Sequence, residues 1–163
     1  MQIGVVSDTH NNLKNIDKII SLFNEENVRF VIHTGDIASA KSLERFSNLQ
    51  CELIGVYGNN DRNEEGIKEI AEFNNFSFQE PPKIFSVYEK NIAIFHEPDQ
   101  IDNFLEKNKR TNIVVHGHTH RYRNEIKDGV LIFNPGESAG MVEGSNAVGI
   151  LDLESFEAKR IFF

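Results

Sequence analysis

Apolar residues follow two rhythms along this chain, and the change between them divides it. In the first half, short continuous apolar runs (QIGVV at 2–6, VRFVIH at 28–33, ELIGVY at 52–57) alternate with segments of helical spacing. Leu13, Ile16, Ile19, Ile20 and Phe23 mark a helix from Asn12 to Glu26, with Asn11 or Asn12 available as its N-cap. Leu43, Phe46 and Leu49 mark a second helix, and Ile67, Ile70 and Ala71 a third. This βαβαβ order predicts a mostly parallel sheet with helices packed on it.

The second half reads mainly as strands. KIFSVYEKNIAIFH predicts a hairpin turning around Glu89–Asn91, and a short helix covers 99–107 with Ile101, Phe104 and Leu105 on one face. NIVVH, YRNEIK, VLIFN, AVGILDL and KRIFF come next as strands, with a turn at Asp128-Gly129. No linker, repeat or low-complexity segment interrupts them. The expectation is one α/β domain over residues 1–163, holding two packed sheets.

The residues directly after each apolar run are chemically richer than the runs themselves. QIGVV leads into SDTH, VRFVIH into TGD, ELIGVY into GNND, IAIF into His96, NIVV into HGHTH and VLIF into NPGE. Five of these six endings, all but NPGE, are read as contributing metal-binding side chains, and every histidine lies at or beside one of the six. In an open α/β sheet the carboxyl ends of parallel strands converge on a crevice where ligands bind. Glycines 35, 58, 117 and 136 are expected to let the backbone turn sharply there. Mixed oxygen and imidazole donors suit Mn²⁺, Fe²⁺, Zn²⁺ or Ni²⁺ without choosing among them.

Composition narrows the classes. Hydrophobic content of 39% and charged content of 26% are those of an ordinary globular chain. A formal net charge of −8 argues against non-specific nucleic-acid binding, which depends on cations neutralising phosphates. No apolar stretch approaches the roughly 18 residues of a membrane span. The chain runs straight into its first strand with no secretory pattern, so a cytoplasmic location is expected. The single Cys51 opens an apolar run and is expected to be an inert thiol. There is no GxxxxGK[ST] motif, which sets aside a P-loop nucleotide hydrolase.

The ordered set SDTH (7–10), GD (35–36), GNND (58–61), His96 and GHTH (117–120) resembles the calcineurin-like metallophosphoesterase family. NPGE at 134–137 resembles the Asn-Pro-Gly turn of its small, single-domain phosphodiesterase branch. The resemblance implies a β-sandwich of two mixed sheets flanked by helices and a dinuclear metal centre at the strand ends. One metal would take Asp8, His10 and His120; the other would take Asn59, His96 and His118, with Asp36 bridging. The implied cofactor is a pair of divalent ions, Mn²⁺ ahead of Ni²⁺, Fe²⁺, Zn²⁺ or Mg²⁺. Ions about 3.5–4 Å apart share a hydroxide and clamp the attacking and leaving oxygens of an in-line displacement. The implied substrate is a small phosphate ester, and small relatives often form homo-oligomers.

Two positions depart from the family pattern. Asn60 stands where many members have a histidine that protonates the leaving group; an amide can donate to a phosphate oxygen but is no general acid at neutral pH. Glu97 stands where relatives usually have glycine, either narrowing the cleft or pointing into solvent. His33 and His116 are expected to be packed or supporting, and Asp61 to orient the Asn59 loop. Arg121 and Arg123 share one side of a strand, facing solvent or meeting phosphate. Thr34 and Ser138 show no sign of activation as nucleophiles. Three alternatives stay open: a phosphomonoesterase, a nucleotide phosphatase, or a non-catalytic scaffold resembling the small subunit of the eukaryotic retromer.

Overall fold

The computed structural model describes residues 1–163. Its first half runs β1 (Gln2–Val6), α1 (Leu13–Glu26), β2 (Phe30–His33), α2 (Ala40–Arg45), β3 (Glu52–Val56), α3 (Ile67–Phe73) and β4 (Ser77–Gln79). The second half runs β5 (Lys83–Val87), β6 (Lys90–Ile94), α4 (Ile101–Lys107), β7 (Ile113–Val115), β8 (Arg123–Lys127), β9 (Val130–Asn134), β10 (Ala147–Asp152) and β11 (Ala158–Phe162).

The strands form two mixed sheets, ordered β11-β10-β1-β2-β3-β4 and β5-β6-β7-β9-β8. In the first, β1 to β4 are parallel, and β10 and β11 add antiparallel beyond β1. In the second, β6, β7 and β9 are parallel, with β5 and β8 as antiparallel edges. The expected α/β sandwich of two mixed sheets is therefore present.

Three apolar layers explain the continuous runs. Ile3, Val5, Ile32 and Val56 meet Ile92, Ile94, Val115 and Phe133 between the sheets. On the outer face of the first sheet, Val6, Val31 and Leu53 pack against Ile16, Ile19, Phe23 and Phe46. Ala93, Val114 and Ile132 of the second sheet pack with Phe95 and Ile101. Central strands are thus buried on both faces, so they read as unbroken apolar stretches rather than alternating ones.

Local signals hold where chemistry enforces them. Asn12 caps α1 by accepting a hydrogen bond from the Asn15 backbone at 3.1 Å, and Asn27 ends it in a left-handed conformation. The second helix is shorter than its apolar spacing predicts: α2 stops at Arg45 and tightens into a 3₁₀ turn over Phe46–Asn48. The hairpin turns one position early, at Tyr88 and Glu89, which both have positive φ as a tight two-residue turn requires. β4 has no counterpart among the strands the sequence predicts, since three residues carry no readable periodicity.

Packing is close enough that one methyl group matters. A Cβ on Gly149 would lie 2.4 Å from Phe133 Cε1, and Phe133 is fully buried between the sheets. Gly149→Ala is expected to destabilise the fold by about 1–3 kcal/mol through overpacking. Urea unfolding at neutral pH measures this; an unchanged midpoint would contradict the packing.

Candidate metal centre

The sheets turn the carboxyl ends of β1, β2, β3, β6 and β7 toward one edge, and the polar residues beyond them meet there. Asp8 Oδ1 lies 3.4 Å from His120 Nε2, and Asp36 Oδ1 lies 3.3 Å from His96 Nε2. Asn59 Oδ1 is 2.9 Å from His96 Nε2 and 3.1 Å from His118 Nδ1. Two groups of donor atoms converge within 4.8 Å: Asp8, His10 and His120, and Asp8, Asp36 and His96. The rings pair edge to face in the same division, His10 with His120 and His96 with His118.

Hydrogen bonding around the donors leaves the lone pairs a metal would need. Asp8 is fully buried; its Oδ2 accepts from the Ser7 hydroxyl and from the His118 backbone, while Oδ1 accepts no hydrogen bond. His10 Nε2 is likewise buried without a partner. His96 Nδ1 donates to the Thr34 carbonyl at 2.9 Å, which orients the ring and aims Nε2 into the site, where it faces Asn59 Oδ1 and Asp36 Oδ1. These unpartnered buried atoms, and the mix of carboxylate, amide and imidazole, fit divalent transition ions.

Electrostatics point the same way. Burial would raise the Asp36 pKa, but hydrogen bonds from His96 and Asn60 overcome it and hold the carboxyl below its usual range. Burial would lower the pKa of His96, yet Asp36 keeps it raised. His120 is raised chiefly by the Asp8 carboxylate, whose Oδ1 lies 3.4 Å from its Nε2. Buried carboxylates that raise the pKa values of neighbouring imidazoles mark a place that favours positive charge.

The backbone is specialised to match. Asp8, His10, Asp36, His118 and His120 all have positive φ, between 45° and 67°. For residues with a Cβ this region costs on the order of 1 kcal/mol each, and such outliers gather at functional sites. Asp61 holds the strand-end loops together. Fully buried, its carboxylate accepts from the backbone of Asp36, Ile37, Ala38 and Gly58 at 2.7–2.8 Å. Of the four glycines expected to turn the chain, Gly35 and Gly136 do so with positive φ, whereas Gly58 and Gly117 serve a different purpose. Neither Gly58 nor Gly117 has positive φ; a Cβ on Gly58 would lie 2.2 Å from Asp36 Oδ1, and one on Gly117 would lie 2.0 Å from Ser7 Oγ. They permit close approach, while Asp36, His118 and His120 make the turns.

The other singled-out residues sort by contact. His33 is fully buried, accepts from the Gly35 backbone at Nδ1, donates to Thr9 Oγ1 from Nε2 and packs edge-on against Phe46. Burial pushes its pKa down to about 3. His116 is buried beneath the edge; Nδ1 donates to the Gly117 carbonyl, and burial pushes its pKa down to about 4. Asn60 donates to Asp36 through both its backbone (3.0 Å) and its side chain (2.7 Å). Glu97 is tied to Arg62 at 3.4 Å, and Arg62 also pairs with Glu80 at 3.5 Å, so one arginine is shared between two carboxylates. The Ser138 hydroxyl donates to the Ala147 carbonyl, and half-buried Cys51 has its pKa raised by burial. Ser7 and the Thr34 carbonyl carry no sequence signal beyond their place beside ligands, and Asn134, the first residue of the NPGE turn, braces Gly117 and Thr119.

A sandwich with such donors at its strand ends defines a metal-dependent hydrolase of phosphate esters. The calcineurin-like phosphoesterase superfamily domain matches residues 1–155, and the chain belongs to that family. It is 39% identical to phosphodiesterase MJ0936 of Methanocaldococcus jannaschii over 99% of this chain and 98% of the relative. Identity to phosphodiesterase YfcE of Escherichia coli is 23%, over 93% and 88%. The solved structure of an archaeal phosphodiesterase superposes with a TM-score of 0.90 at 37% identity, covering 100% of both chains. The fold alone is shared with zinc-complexed Vps29 of Entamoeba histolytica, at a TM-score of 0.71, 14% identity and 99% of both chains.

Asp61→Ala is expected to leave four backbone N–H groups without their acceptor and to destabilise the metal-free protein by at least about 3 kcal/mol. Denaturant titration in EDTA measures it. A loss under about 1 kcal/mol would mean that water or another group replaces the carboxylate.

Proposed function

We propose that the protein is a phosphodiesterase working through two divalent ions, with Mn²⁺ as the preferred metal. The observation that carries this reading is the pair of converging donor groups, with buried lone pairs left unpartnered at Asp8 and His10. Asp8, His10 and His120 would hold one ion, Asn59, His96 and His118 the other, with Asp36 between them. Bound there, the ions would supply Lewis acidity and a water acidic enough to act as a nucleophile near neutral pH.

The chain's own residues set the rest. Two anionic ligands against two divalent ions leave the loaded centre cationic, so it attracts a phosphate ester although the body carries a net −8. Asn60 spends one amide hydrogen on Asp36 Oδ2, and its second remains to donate to a phosphate oxygen. It cannot protonate a leaving group, so esters whose leaving group departs as a stable anion are favoured, activated diesters among them. Phosphomonoester hydrolysis on the same centre is the second reading. The scaffold reading loses weight because all seven ligand positions hold side chains able to coordinate.

Bis-p-nitrophenyl phosphate tests the proposal, assayed with Mn²⁺, Ni²⁺, Mg²⁺ or EDTA and with p-nitrophenyl phosphate alongside. Hydrolysis of the diester with Mn²⁺, its loss in EDTA, and a fall on the order of 10²-fold or more in Asp36→Asn are expected. No hydrolysis with any metal would leave the scaffold reading in place. Asn60→His is expected to flatten the dependence of rate on leaving-group pKa across a series of aryl esters. An unchanged slope would show that position 60 does not govern leaving-group preference.

A further inference from the structure

Near the metal centre in the chain lies a cavity of about 420 Å³, lined by Pro98, His116, Thr119, Arg121, Tyr122 and Arg123. Its wall shares backbone with the proposed ligands. Pro98 is two residues from His96, Thr119 lies between His118 and His120, and Arg121 follows His120 directly. A group bound at the metals therefore has this cavity as its neighbour.

The lining is unusual for an acidic chain. It contains two arginines and no carboxylate. Arg123 is held to Glu125, but Arg121 is exposed and pairs with no acid; its backbone donates to Thr119 Oγ1 at 3.3 Å. The wall is also braced. Asn134, fully buried, donates to the Gly117 carbonyl at 3.1 Å and to Thr119 Oγ1 at 3.2 Å. His116, 1% exposed, contributes a second kind of group. Because Nδ1 donates to the Gly117 carbonyl, Nε2 keeps a lone pair, and that atom has no partner. Cations with an unused acceptor behind them suit a ligand that brings negative charge and a hydroxyl.

The geometry points to a subsite for the non-reacting arm of the substrate, taking an arm that carries a second phosphate. This rests on the hydrolytic reading of the metal centre and adds the substrate class: a phosphate ester with a further anionic group, read by Arg121 and, more weakly, by Arg123. The distinction between the two comes from their partners. Arg121 has its full charge to offer, whereas Arg123 shares its charge with Glu125.

Calorimetric titration of the Mn²⁺-loaded protein tests the subsite by binding rather than turnover. The probes are propyl phosphate and a series of α,ω-alkanediol bisphosphates with three to six carbons. Wild type is expected to bind the best bisphosphate roughly five- to tenfold more tightly than the monophosphate, a ratio that Arg121→Gln collapses toward one and Arg121→Lys largely retains. Arg121 is exposed, so these variants are expected to fold. An equal ratio in wild type and Arg121→Gln, or no bisphosphate preference at any length, would overturn the subsite. Turnover of bis-p-nitrophenyl phosphate by wild type reports separately on the hydrolytic reading. Its failure alongside an Arg121-dependent ratio would leave a phosphate-binding cavity without hydrolysis.

Discussion

The Asp61 carboxylate is the contact on which the site depends. Its two oxygens collect four backbone N–H groups from the ends of β2 and β3, which fixes where Asp36 emerges and how closely Gly58 passes beneath it. Asp36 is then set against His96, Asn59 against His96 and His118, and Asn60 against Asp36. None of these contacts needs a long side chain or a mobile loop. Each is a short reach from a strand end whose direction the sheet already determines, which is how a fold gains positional accuracy at a metal site.

That accuracy has an energetic cost in the metal-free state. Asp8 and Asp36 are buried carboxylates, and five of the proposed ligand residues sit in left-handed backbone conformations. Both carboxylates raise the pKa values of the imidazoles beside them, His96 and His120, so the pocket favours positive charge. Divalent ions would offset the buried negative charge, and a ligand that binds only the folded state stabilises it by mass action. Metal binding and folding are therefore coupled here through the same few residues.

Much of this was legible in the sequence because strand ends preserve order. Apolar runs located β1, β2, β3, β6, β7 and β9, and the polar residues after five of them are those that converge. The information that stayed hidden lies in the backbone or across the sheets. The Thr34 carbonyl orients His96 without any side chain of its own taking part. Ser7 reaches Asp8 Oδ2 with its hydroxyl in a space that Gly117, lacking a Cβ, leaves open. The glycines looked like hinges because φ cannot be read from a letter, whereas Gly58 and Gly117 are places where two segments touch. On an ideal strand His116 would share a face with His118 and His120, but the left-handed turn at His118 breaks that alternation, and His116 is buried, in keeping with the packed or supporting place expected of it.

The central claim is that two ions share one centre divided between His118 and His120, and counting metal tests it most directly. After reconstitution with Mn²⁺ and removal of excess, elemental analysis is expected to find two ions per chain in wild type and in His116→Ala, and fewer in the alanine variants of His118 and His120. One ion per chain in wild type, or equal losses in all three variants, would contradict the division.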